Sequence, residues 1–454
     1  MSRHQARIRT VRAVAGARRD GLDRRRFLQL GGLAAAGFAA PPLLSGCAAF
    51  TGEDSGGDGD STTGGGTLKL MISPEQLTGL EQILPSFEED SGVTVDAASA
   101  QVDSLNEQLR IQITSGTAAD VFRSAPGGSV PSAQLVLGRE GSLRDLSDQP
   151  WAADVPENFG PLLRDGDALY GFPISRAAIV TVYNRAAFDG VGAQAPTTWS
   201  ELIAVADELK AAGVIPVTFG LGNPAYLQFT PYALVATLVS RVDPDFDAKL
   251  RSGDATFAGT AGWVEALEKF KLLLDSYSDP SPLGIPNEQS MAAVARGEAA
   301  MIPIISANFP IIEEMVDDAA AELGVFVLPA TDNADDTWVP SSPDSLSVNA
   351  DAADPEAALA LLEFLARPEN VTSYNEIAQS FPGLTGHDVA ETIVGAAVAP
   401  FLDAGRAAPY ANHPWPNGEV QQTFMQTGQQ FVEGSVTAAG LLEAMDAVYE
   451  RDSA

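Results

Sequence analysis

A chain of 454 residues has room for two or three domains, which excludes a peptide ligand or a single small module, and 45% apolar with 19% charged residues describes a body that buries a sizeable core. Lys and Arg number 27 against 60 Asp and Glu, a net charge of −33. Residues 1–46 hold nine of the arginines and two acids, so the rest carries 18 bases and 58 acids; such a surface repels phosphate backbones and anionic headgroups, which excludes nucleic acid as a partner.

Arg24-Arg25-Arg26-Phe27-Leu28 leads into an apolar stretch, Leu30 to Leu44, interrupted by Gly31, Gly32, Pro41 and Pro42. It is too short and broken to span a bilayer and has the layout of a secretory signal. The arginine pair resembles a twin-arginine export signal, and Leu44-Ser45-Gly46-Cys47 resembles a bacterial lipobox, in which cleavage precedes a cysteine that carries lipid. Cys47 is the single cysteine, so no disulfide framework exists. Residues 1–46 are therefore expected to be a signal peptide. Cys47 is the expected lipidation site, and residues 47–66, almost wholly Gly, Ser, Thr and Asp beyond Phe50, form a flexible tether.

From Thr67 strands and helices alternate. Leu68–Ile72 reads as a strand, Leu77, Leu80, Leu84 and Phe87 as one helix running to Gly92, and Val93–Ala97 as a second strand. Leu105, Leu109 and Ile113 line a helix face that Gly116 ends, before the short strand Val121-Phe122. Thr198-Trp199-Ser200-Glu201 is a capping box opening a helix with Leu202, Val205, Ala206 and Leu209 on its inner side. Gly213 ends that helix, and Val214–Phe219 is the next strand. Trp263, Leu267, Phe270 and Leu274 mark a buried helix face, with Trp263 in the core. Asp354-Pro355-Glu356 caps a helix whose apolar side is Leu359, Leu362 and Leu365. Two last helices run around Val420, Phe424 and Phe431 and around Leu441, Leu442, Met445 and Tyr449.

Alternation of this kind predicts β-α-β units on mainly parallel sheets, which bind ligands at the carboxyl ends of their strands. No solenoid repeat, nucleotide loop or nucleophile elbow is present. His387 and His413, 26 residues apart, lack the spacing of a helical metal pair, so neither cofactor nor metal is expected.

Six segments follow one another in a specific order: Ser115-Gly116-Thr117-Ala118-Ala119-Asp120-Val121, Gly166-Asp167-Ala168-Leu169-Tyr170-Gly171-Phe172-Pro173, Val182-Tyr183-Asn184-Arg185, Pro196-Thr197-Thr198-Trp199-Ser200-Glu201-Leu202, Gly297-Glu298-Ala299-Ala300-Met301 and Pro355-Glu356-Ala357-Ala358 through Pro368-Glu369-Asn370. In that order they resemble the bacterial extracellular solute-binding proteins that serve ABC importers, the sugar-binding, maltose-binding-protein-like group above all; Ala119 stands where the family usually has proline. The resemblance spans about residues 67–450.

It implies an α/β, two-lobed periplasmic-binding-protein-like fold of type II, with lobe I at 67–175 plus 340–382 and lobe II at 176–339 plus 383–454. The chain would cross between lobes near Ile174-Ser175-Arg176, Trp338-Val339-Pro340 and Phe381-Pro382-Gly383, where prolines suit extended connectors. It also implies a monomeric, lipid-anchored protein on the extracytoplasmic face that captures a mono- or oligosaccharide by hinge closure and delivers it to permease subunits, without bond chemistry. Cleft loops of the family fall on Gln76, Arg123, Ser124, Arg176, Asn223, Tyr226, Asn308, Phe309 and Asp344; Trp415, in a loop too rich in proline to read as core, is a candidate stacking platform. Either arginine could serve a ligand carboxylate or a structural ion pair. The alternatives are a binding protein for a polyamine, an amino-acid derivative or a glycerol-phosphate compound, and a lipid-anchored carbohydrate-active enzyme using two carboxylates.

Overall fold

The computed structural model describes residues 66–453; the signal, Cys47 and the linker up to 65 lie outside the described residues. Twelve strands are formed there: β1 Thr67–Ile72, β2 Thr94–Ser99, β3 Val121–Ser124, β4 Arg164–Asp165, β5 Ala168–Leu169, β6 Phe172–Asn184, β7 Ile215–Val217, β8 Ala299–Ile305, β9 Leu323–Phe326, β10 Val339–Val348, β11 Phe381–Pro382 and β12 Ala407–Ala408. The main path runs β2-β1-β3-β10-β6-β8-β7.

Parallel pairing holds within each end of this path, as expected. Thr67 stands opposite Thr94 and Leu70 opposite Val121 at one end, and Ile215 opposite Ala299 at the other. The middle differs: β10 is antiparallel to β3 and β6, and β6 is antiparallel to β8 and β9. Antiparallel pairing arises because these strands carry the chain from one end to the other and back, rather than returning through a helix on the same side.

β6 is the longest strand. Its first part, Phe172–Ala178, pairs with β10, and its second, Ile179–Asn184, pairs with β8 and β9. Ile174, Val180 and Val182, all β-branched, favour continued extension, and Pro173 and Pro343 sit inside paired strands without ending them.

Separate cores flank this crossing. One gathers Leu68, Leu70, Phe87, Phe159, Phe172 and Leu346, closed over by Leu361 and Leu365. The second gathers Trp263, Phe270, Phe424, Leu441 and Tyr449 against one side of the β6–β8 sheet, while Val180, Ile302, Ile304, Phe309 and Val398 fill its other side. Each fully buried Leu or Phe stabilises by about 1.5–3 kcal/mol, which makes these clusters the main holding force of each end.

Local signals explain the helices. Ser73 and Gln76 form a reciprocal cap on Pro74–Leu80, Thr198 and Glu201 do the same for Trp199–Ala211, and Asp354 accepts from the Ala357 amide at 3.0 Å. The single helix expected up to Gly92 is instead Pro74–Leu80 and Leu84–Ser91, since Pro85 lacks the amide that would continue it and favours a new first turn. In Pro355–Leu365 the buried side is Leu361, Leu362 and Leu365, with Leu359 half-buried. Gly166, at φ 61°, turns the small β4–β5 hairpin.

Candidate ligand site

Ends of the strands in the first core meet the crossing strands at a polar floor. Arg123 leaves β3 and Asp344 leaves β10, where the register slips between Asp344 and Ser345. Arg123 Nε donates to Asp344 Oδ1 at 2.9 Å, with the side chains 14% and 27% exposed. Its Nη1 is sealed from solvent and has no partner. The helix Pro368–Ile377 brings Tyr374, whose ring lies against Gly79 and whose hydroxyl shares a hydrogen bond with Ser175. From the segment after β12 come Tyr410 and His413, rings 5.2 Å apart, the Tyr410 amide donating to Ser342 Oγ at 2.8 Å.

Charge couples the group. Burial, then the Asp344 carboxylate, pushes the phenols of Tyr374 and Tyr410 far above their ordinary value. Burial, reinforced by the Arg123 charge, depresses His413 to about 3, so its imidazole is neutral at physiological pH. Gln76 Nε2, Tyr410 Oη and His413 Nδ1 are sealed without partners, whereas Ser345, next along β10 from Asp344, faces the other side of the sheet beside Ser124. Buried polar atoms of this kind each cost roughly 1–3 kcal/mol unless something bonds them. Four such atoms, counting Arg123 Nη1, around one ion pair make a surface ready for a hydroxyl-rich partner.

Two further placements matter. Gly127, φ 77°, approaches the segment so closely that a Cβ there would lie 2.0 Å from the His413 carbonyl oxygen; the loop after β3 is thus pressed onto the loop that carries His413. On the second core's side Asn308 Nδ2 donates to Tyr226 Oη at 3.4 Å.

Successive side chains of a strand face opposite ways. Ser175 faces the floor, so Arg176 faces away, over the Phe159 ring at 5.0 Å from its centroid, with Nε donating to the Pro382 carbonyl at 2.6 Å. Burial lowers this guanidinium to about 10, still charged at neutral pH. It lines a cavity of about 730 Å³ whose walls come from 156–162, 235–263 and 382–415.

Of the ten candidate residues, the structure brings Gln76, Arg123 and Asp344 to the floor and joins Tyr226 to Asn308. Ser124 is fully buried, its hydroxyl 2.6 Å from that of Ser347, a bond inside the sheet. Asn223 caps the next turn by accepting from the Ala225 amide at 3.0 Å. Phe309 is corrected to a core residue, 2% exposed, because it opens a helix whose inner face also buries Ile312. Trp415 is likewise drawn into the core despite its prolines, 1% exposed and edge-on to Phe257 and Tyr232. Tyr374, Tyr410 and His413 escaped the sequence reading as site residues; the signal available was an aromatic shortly before the third crossing for Tyr374 and the neighbourhood of Trp415 for the other two. Among the described residues no cluster of His, Cys, Asp and Glu suited to a metal occurs, and no helix is long and apolar enough to cross a membrane.

A mixed sheet shared by two cores, with a polar floor at the strand ends, defines a type II solute-binding fold. The family model for bacterial extracellular solute-binding proteins matches residues 59–372, and the chain belongs to that family. An uncharacterized lipoprotein of Streptomyces antibioticus is 26% identical over 289 residues, covering 62% of this chain and 61% of that protein, so the chain spans about three-fifths of that relative. Among solved structures, a chitin oligosaccharide binding protein superposes with a TM-score of 0.71 at 20% identity, over 85% of this chain and 98% of that one. RafE in complex with raffinose gives 0.68 at 19% identity, over 86% and 100%. At these identities the likeness is one of fold.

Proposed function

We propose that the protein captures a mono- or oligosaccharide between its lobes by hinge closure and delivers it to the permease subunits of an ABC importer, acting as a monomer held at the extracytoplasmic face by lipid on Cys47 after twin-arginine export. Lobe I is taken as 67–175 with 340–382 and lobe II as 176–339 with 383–454. The observation that carries the reading is the floor itself: an Arg123–Asp344 pair surrounded by unpartnered atoms of Gln76, Tyr410 and His413. A guanidinium–carboxylate pair offers donors and acceptors in one plane, which suits adjacent hydroxyls, while Tyr410 and Tyr226 offer aromatic faces to C–H patches. Because Asp344 already balances Arg123, a neutral ligand suits the floor better than an anion. A structural neighbour that is a chitin oligosaccharide binding protein, and RafE in complex with raffinose, support the same class.

Closure follows from geometry. Only when the lobes meet does a ligand touch the floor and the Tyr226–Asn308 pair together, so binding shifts the open–closed equilibrium. Glycosidic hydrolysis calls for two carboxylates flanking the bond; here Asp344 is engaged by Arg123, and the ligand is held and released intact. Thermal shift against a panel containing raffinose and chito-oligosaccharides tests this: one or more saccharides should raise the melting temperature by mass action, with no reducing ends released over hours. A rise with spermidine alone, or cleaved sugar, overturns it.

A further inference from the structure

The cavity behind β6 shares Tyr410 with the floor, but the saccharide reading uses none of its space. Its walls come from both cores and from the crossing segments, and its volume, about 730 Å³, matches small-molecule sites. The lining is mostly apolar: Leu162, Val235, Phe246, Trp338, Leu384 and Leu402. Into this apolar space points Arg176, 8% exposed. Among the described residues only its Nε has a bond, to the Pro382 carbonyl, and no carboxylate lies within ion-pair distance of it. Arg123, by contrast, has Asp344. A buried guanidinium held without an acid, in a chain with more than twice as many acids as bases, is costly unless a partner arrives.

We propose that this cavity is a second ligand site, for a small amphipathic monocarboxylate whose apolar body fills the cavity and whose carboxylate pairs with Nη1 and Nη2 of Arg176. Glu157, Asp243, Asp247 and Asp403 also line the cavity, so a ligand with further negative charge is rejected. A body wedged between walls from both lobes favours the arrangement that forms those walls, so occupancy here is coupled to the affinity of the floor, reciprocally. The coupling rests on the saccharide reading above; the site does not.

Titration of the full chain with sodium octanoate, 1-octanol and octylamine, read by calorimetry and by the fluorescence of the tryptophans that line the cavity, Trp263, Trp338 and Trp415, tests the site. Octanoate should bind at least about tenfold more tightly than octanol, the worth of a charge-assisted hydrogen bond, and octylamine weakest. Arg176→Met should erase the gap between octanoate and octanol. Ala411→Phe, which fills the cavity from a half-buried wall position, should weaken both while leaving saccharide binding in place; it decides the matter should Arg176→Met not fold. Equal or tighter binding of octylamine, an unchanged octanoate affinity in both variants, or strict competition between octanoate and a bound saccharide overturns the second site. Absence of any saccharide binding overturns the reading of the floor, and the octanoate series still stands or falls by itself.

Discussion

Arg123 on β3 and Arg176 on β6 flank β10 in one sheet and live in different worlds. Arg123 meets an acid and is ringed by polar atoms awaiting partners; Arg176 meets a carbonyl, a phenyl ring and an apolar cavity. What separates them is which face of the sheet each enters, and in a strand the face is decided by a single residue of register. The front and rear of the crossing thus have opposite chemistry although the same strands build both.

The sharpest way to break that contrast is to remove what stands between the two. Trp415 lines the cavity and packs in the core near the floor segment. Trp415→Ala is expected to cost about 3–5 kcal/mol, seen as a fall in the urea midpoint, with loss of both saccharide and octanoate binding. Loss of only one would mean that front and rear are mechanically separate. Arg123→Met leaves Asp344 without its partner in a mostly buried position. About 2–3 kcal/mol of stability should go, with a saccharide Kd raised tenfold or more and octanoate unaffected by calorimetry.

Gly127→Ala tests the front alone. Its φ of 77° and the 2.0 Å approach of a Cβ to the His413 carbonyl require the loop to back away, at about 1–3 kcal/mol. Saccharide affinity should weaken through a faster off-rate in stopped-flow while octanoate binding persists.

The smallest effects are in pH, and they carry opposite signs. His413 is held at about 3 in the folded chain against an ordinary value near 6.5, so between those limits the unfolded chain takes a proton that the folded chain refuses. Stability falls as pH drops through that window, by at most about 1.4 kcal/mol per pH unit. Asp247, beside the cavity, is raised to about 6 by burial, which the Arg251 charge only partly offsets. Between about 6 and 4 the folded chain holds the extra proton, and stability rises as pH drops. Urea midpoints at pH 7 and 5 should therefore fall less in His413→Phe and fall more in Asp247→Asn than in the wild type.

Much of the frame was legible in the sequence because it is local. Ser73, Thr198 and Asp354 announce their helices through caps that depend on three or four neighbouring residues, and the β1 alternation of Leu68, Leu70 and Ile72 shows which side is buried. Gln76, Arg123 and Asp344 were within reach because ligands gather at strand ends. Partnering was not legible. Arg123 and Asp344 are 221 positions apart, and nothing near either residue reveals that they pair while Arg176 does not. Trp415 misled for a similar reason: a proline-rich loop reads as exposed until Phe257 and Tyr232, from distant segments, close around it. Pro85 shows the reverse error, a local breaker overlooked because the apolar spacing ran through it.

One uninterrupted strand, Phe172–Asn184, hands its hydrogen bonds from β10 to β8 and β9 between Ala178 and Ile179 without leaving either end unpaired. Bending at that handover need not break a bond, yet tearing the halves apart must break all of them. In native-state hydrogen exchange, the amides of this joint should be among the slowest to trade with solvent. Under the proposed closure the moving part of the molecule is then also its most durable one, and the two halves should unfold as a single cooperative unit.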